Sequence, residues 1–128
     1  MTLLRINHVQ LAIARGEDEE ARRFYRDVLG LRETPRPPEL AAGGGAWFEL
    51  GGAQLHLGVD PEFRPAKKAH VAFEAEDLDR VASRCESAGH PPRFDERIRA
   101  QRRFFVDDPF GNRLEVLQAP GAQRPGVA

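Results

Sequence analysis

The 128-residue sequence runs through the same series of hydrophobic periods twice, so whatever it folds into must be built from two similar modules. Residues 4–13 alternate, with Val9, Leu11 and Ile13 on one side and His8 and Gln10 on the other, the mark of a strand with one buried face. Acidic residues 17–20 then open a stretch in which Ala21, Phe24, Tyr25, Val28 and Leu29 recur at helical spacing. Acidic charge in a first turn favours a helix N-terminus, and Gly30 is the C′ residue that ends this helix. A short strand over 31–34 leads into PRPPELAAGGG, whose prolines and glycines predict a mobile loop without regular structure. Strands over 46–50 and 53–59 follow, joined at Gly51-Gly52 as a two-residue hairpin turn.

Beyond a linker over 60–66 the order is replayed. Residues 69–75 alternate, with Val71, Phe73 and Ala75 on one face. Asp77 is placed to cap a helix striped by Leu78, Val81, Ala82 and Cys85, and Gly89 closes it. A short strand near Arg93 and strands over 102–106 and 113–118 complete the set, with DDPFGN as the turn between the last two. The pattern is βαβββ twice, an α+β architecture in a single domain. Module one covers residues 4–60, module two covers 67–118, and 119–128 form a frayed tail.

Matching positions in the two modules carry metal-binding side chains: His8 and His56 in the first, His70 and Glu115 in the second. Each alternates with apolar neighbours, so each faces away from the side of its strand that packs under a helix. One strand histidine by itself is more often a core or surface residue than a ligand. Four coordinating side chains at repeat-related positions change that balance, because an unpaired carboxylate in a barrel-like cavity is costly and a divalent ion removes the cost. Imidazole and carboxylate together suit Fe, Mn, Zn, Ni or Co, one ion per site. His56 is then either a fourth ligand or an acid/base, and Glu115 is both ligand and catalytic group. Gln10, Phe48, Phe105 and Arg113 are the candidate substrate contacts, with Trp47 as a further apolar wall; core packing or solvent contact is the competing account of each.

Charge and composition narrow the partners. With 19 basic and 20 acidic residues the net charge is −1, which supplies no field for nucleic acid or an anionic membrane. No apolar run approaches the roughly 20 residues that span a bilayer, and MTLLRINHVQ begins directly with a strand pattern, so a cytoplasmic location is expected. The lone Cys85 excludes an internal disulfide and reads as a small helix-core residue. Arg93, Arg97, Arg99, Arg102 and Arg103 either clamp a substrate anion or form a salt-bridged edge with Asp95, Glu96, Asp107 and Asp108.

HVQLAI followed by ARRFYRDVLGL, WFELGGAQLHL, HVAFEAEDLD and RRFFVDDPFGNRLEVL resembles the vicinal oxygen chelate superfamily. That superfamily includes glyoxalase I, bleomycin- and fosfomycin-resistance proteins, methylmalonyl-CoA epimerase and extradiol dioxygenases. The likeness runs from Arg5 to Gln118, and FYRDVLGL and DPFGNRLE are its most specific segments. The resemblance implies two βαβββ modules forming a U-shaped mixed sheet around a metal cavity, with ligands at His8, His70 and Glu115. It implies a divalent-metal-dependent enzyme of glyoxalase/dioxygenase type, a lyase, dioxygenase or thiol transferase, acting on a small oxygen-rich substrate chelated through vicinal oxygens. Two alternatives stand beside it: an extradiol-type Fe(II) dioxygenase, and a drug- or metabolite-binding resistance protein without turnover, like those for bleomycin. Where this chain has His56, glyoxalase I is similar but carries glutamate, the epimerase glutamine, and the dioxygenases a second-sphere histidine. Phe105 replaces the tyrosine common in dioxygenases and fosfomycin thiol transferases. The resemblance also implies a homodimer that exchanges modules, so that His8 and His56 of one chain meet His70 and Glu115 of another.

Overall fold

Two units divide the chain after Pro65 in the computed structural model, which describes residues 2–121. In the first unit β1 (His8–Ile13) leads to a helix α1 (Asp18–Arg22) that widens into a π-helical stretch, Arg23–Val28. β2 (Arg32–Thr34), a 3₁₀ segment (Pro38–Gly43), β3 (Ala46–Leu50) and β4 (Ala53–Val59) follow. The sheet order is β1-β4-β3-β2, with β1 parallel to β4 and the other pairs antiparallel. The second unit repeats this with β5 (Val71–Ala75), α2 (Leu78–Ser87), β6 (Arg93–Phe94), β7 (Arg103–Asp107) and β8 (Arg113–Gln118). Its order is β5-β8-β7-β6, again with the one parallel pair, β5 with β8. The fold is α+β, βαβββ twice, each sheet mixed. The expected frayed tail lies mainly over residues 122–128, outside the described residues.

Side-chain alternation sorts each sheet into two faces. In the first, Leu11, Ile13, Leu55, Leu57, Ala46 and Phe48 are buried on one face, and Ala21, Phe24 and Tyr25 of the helical segment are buried as well. In the second, Phe73, Leu114, Val116, Phe104 and Val106 are buried with Leu78, Ala82 and Cys85 of α2. Burying a large apolar side chain stabilises by roughly 1.5–3 kcal/mol, so these two layers are what hold each strand's other face in place. Burial also pushes the Cys85 thiol up to about 11, despite the nearby Arg84, which leaves it a packing residue.

Three local expectations need correcting. β1 begins at His8, not residue 4; Leu3, Leu4 and Ile6 are exposed, and pairing with β4 starts only where the Asn7 carbonyl accepts from the Gln54 N–H at 3.0 Å. The first helix is not α-helical throughout, since the Leu29 N–H reaches back to the Phe24 carbonyl at 2.9 Å. Widening the turn brings the adjacent Phe24 and Tyr25 both inside, edge to face with ring centroids 5.0 Å apart. PRPPELAAGGG also contains regular structure after all, because Pro37 and Pro38 supply the φ that starts a 3₁₀ turn. Arg36 fastens that turn by donating to the carbonyls of Leu40, Ala41 and Gly44.

Other expectations hold. Gly51, at φ +58°, turns β3 into β4 with Leu50 opposite Ala53. Asp77 caps α2 by accepting from the Arg80 N–H at 3.1 Å, and Gln118 of β8 accepts from the Leu78 N–H. In the DDPFGN turn the Asp108 carboxylate accepts from the N–H groups of Phe110 and Asn112, while the Asn112 side chain accepts from the Ala66 N–H. That turn ties the start of the second unit to the start of β8, fixing where Glu115 sits relative to the segment that carries His70.

Candidate functional site

In the first unit the strand register sets His56 opposite Trp47 on one side and Gln10 on the other. His56 is 4 % exposed and lies between two flat groups: the His8 ring at 4.1 Å and 16°, and the Trp47 indole at 3.8 Å and 3°. Its Nε2 donates to Gln54 Oε1 at 2.8 Å, which leaves the lone pair on Nδ1. Burial, and then the neighbouring His8, lower its affinity for a second proton, so His56 is a neutral imidazole near pH 7. The Gln10 side chain lies against Gly58, whose missing Cβ makes the room.

The second unit holds the other pair. His70 Nδ1 donates to the Lys68 carbonyl at 2.9 Å, and Nε2 meets Glu115 Oε1 at 2.8 Å. With Nδ1 donating to a carbonyl, a second proton on Nε2 makes the contact a charge-assisted hydrogen bond, and without that proton Nε2 and the carboxylate oxygen are both acceptors. Two acceptors face each other at that distance only if a proton or a metal cation joins them. The donor set therefore fits a divalent first-row ion. Glu115 is 7 % exposed; burial raises its proton affinity, but hydrogen bonds from Arg103 and His70 outweigh this and hold it below the usual glutamate range. Arg103 Nη1 reaches Glu115 Oε2 at 2.9 Å, and its other terminal nitrogen lies 3.5 Å from Asp95. Phe105 lies opposite Glu115 in the register and sets its ring edge-on to His70, centroids 5.7 Å apart.

The four expected ligands are thus found as two pairs, one in each unit. Among the described residues no three His, Cys, Asp or Glu side chains form one metal-holding group. Gln10, Phe105 and Arg113 lie on the same sheet faces as the pairs, as expected. Phe48 does not: it is fully buried on the helix side, 6.1 Å from Tyr25, because a period of two sends it the opposite way from Trp47. Trp47 is the aromatic group on the His56 face. Most of the arginine cluster is a salt-bridged edge, with Arg97 on Asp95, Arg93 on Asp107 and Arg102 on Asp79. Arg103 is the exception that spacing did not single out, although its period-two relation to Phe105 on β7 put it on the Glu115 face. Gln54, which fixes the His56 tautomer, was also missed; it stands two residues before His56 on the same strand.

A model of the glyoxalase/bleomycin resistance protein/dioxygenase superfamily matches residues 5–116. The chain is similar to a glyoxalase family protein of known structure from Bacillus anthracis, at 40% identity and a TM-score of 0.88, over 92% of this chain and 97% of that one. It is also similar to a glyoxalase/dioxygenase from Nostoc punctiforme, at 26% identity and a TM-score of 0.76, over 93% of each chain. A lactoylglutathione lyase from Agrobacterium tumefaciens shares the fold at 24% identity and a TM-score of 0.72, over 93% of this chain and 96% of that one. No curated protein matches the sequence.

Proposed function

Since this chain belongs to the glyoxalase/bleomycin resistance protein/dioxygenase superfamily, we propose that it is a divalent-metal-dependent enzyme acting on a small oxygen-rich molecule. His8, His70 and Glu115 hold the ion, which when bound polarises the substrate's chelating oxygens and stabilises negative charge developing on them. The observation that supports this reading is the His70–Glu115 contact, in which an imidazole nitrogen and a buried carboxylate oxygen lie 2.8 Å apart, held together by a proton whose place a metal ion would take.

The protein's own groups then have distinct tasks. His56 moves protons: it is neutral, its Nδ1 is unprotonated, and Gln54 with the two stacked rings fixes its plane and tautomer. Gln54 thereby leaves His56 less suited to be a fourth ligand. Phe105 has no phenol, so it excludes water beside His70 and transfers nothing. Arg103 steadies the Glu115 carboxylate from the side away from His70. Together these tasks favour chemistry in which a proton is moved next to a chelated oxygen.

Elemental analysis of protein purified without a histidine tag tests the assignment. About one divalent ion per chain is expected, lost in His70→Ala and in Glu115→Ala while the circular dichroism spectrum is kept. Full metal retention in both variants would remove the basis for this site.

A further inference from the structure

On the sheet face that carries Glu115, Arg113 holds a positive charge that no carboxylate answers among the described residues. Arg93, Arg97, Arg102 and Arg103 each have a carboxylate partner. Arg113 makes no ion pair among the described residues. Its register partner across the strands is Asp107, but Asp107 is bound to Arg93 at 3.1 Å. What holds Arg113 is instead the ring of Phe105, 4.0 Å below the guanidinium carbon, and a long contact of 3.5 Å to the Lys67 carbonyl. Its Nε is buried and has no partner. Strand parity puts Arg113, Phe105 and Glu115 on one face of the second sheet. A guanidinium held over an aromatic ring is desolvated on one side and keeps N–H groups for another partner, and a carboxylate is the partner that matches its fork through two parallel hydrogen bonds.

We propose that Arg113 binds a carboxylate of the substrate, so that the molecules this protein takes carry an acid group in addition to the oxygens that would chelate a metal. The inference rests on the metal-dependent reading for the second half of that statement and on Arg113 alone for the first. Nearby charge favours it. Arg103 is neutralised by Glu115 and Asp95, and the Asp95 carboxyl, held well below the usual carboxylate range by Arg97, is already occupied. A substrate anion therefore meets at Arg113 a cation with no ion pair of its own among the described residues.

Two ligands that differ only in the acid group test this: catechol and 3,4-dihydroxybenzoate, titrated calorimetrically into Mn²⁺-loaded protein. The wild type is expected to prefer 3,4-dihydroxybenzoate by about tenfold or more. Arg113→Met keeps the apolar stem over Phe105 and is expected to abolish that preference, with catechol affinity and metal content unchanged; Arg113→Lys keeps part of it. Arg113→Gln serves the same purpose if the methionine variant does not fold. Equal binding of the two ligands by the wild type, or a preference that survives Arg113→Met, overturns the proposal. Titration of benzoate into metal-free protein separates the two readings. Benzoate binding that depends on Arg113 supports the arginine independently of the metal, failure of the protein to take up Mn²⁺ counts against the metal alone, and no benzoate binding overturns the role of Arg113.

Discussion

His56 owes its behaviour to the two flat groups packed against it. Enclosed between His8 and Trp47, it loses the water that would solvate a second proton, and the adjacent imidazole opposes that charge further. The unfolded chain therefore binds more protons than the native state between the lowered folded value and the ordinary 6.5. Stability from this source is complete above 6.5 and is lost as the pH falls through that window. Urea unfolding of metal-free protein at several pH values is expected to show a midpoint that declines on acidification, and His56→Gln to flatten the decline. Identical pH profiles for the two proteins would mean that His56 does not carry it. The same variant should keep its metal and lose turnover on the order of a hundredfold once a substrate is in hand. Sequence alone put His56, His8, His70 and Glu115 on the correct faces, since alternation decides a face without knowledge of any contact. It did not reveal Arg103 on Glu115, because a long flexible side chain within reach of several carboxylates chooses among them by tertiary geometry.

At the scale of elements, close backbone approach separates two glycines of one sheet. A Cβ on Gly45 would fall on the Leu57 carbonyl oxygen, and its φ of +94° is strained for any other residue. A Cβ on Gly58 meets only the Gln10 side chain, whose nearest atom at 2.5 Å can swing away. Gly45→Ala is expected to cost at least about 2 kcal/mol in chemical denaturation. Gly58→Ala is expected to cost less than about 1 kcal/mol and to act instead on ligand affinity through Gln10. Equal losses of stability would contradict this division. The succession of strands and helices, the β3–β4 turn and the Asp77 cap were all legible, because each depends on a few neighbouring residues. The π-helical stretch was not, since it follows from two adjacent aromatic rings both finding room in a core that only the folded sheet provides. The error over Phe48 has a different origin: its aromatic character marked it, while its parity with Leu50, not with Trp47, decided its face.

For the whole molecule, the repeat suggests how complete sites are assembled. Each unit supplies one pair of side chains, and a homodimer that exchanges modules would build every site from the first unit of one chain and the second unit of the other. Co-expressed His8→Ala and Glu115→Ala chains distinguish this from sites built within one chain. In an exchanged heterodimer one site loses both residues and its twin keeps all four, so metal binding and activity return on mixing. Sites made within single chains would stay broken in every combination, and an absence of recovery, with heterodimers present by native mass spectrometry, would reject exchange. The repeat and the motifs within it make the fold readable from sequence, whereas the partner of each half-site depends on docking surfaces that hydrophobic period does not describe. The stack on His56 has one more consequence. The chain contains a single tryptophan, and it lies face to face with that ring, so the molecule's indole emission arises in full at the candidate site. An imidazole that gains a proton or turns in its plane changes the electric field across the indole, and the shift in colour and brightness makes the protein its own optical gauge of that half-site, free of any attached dye.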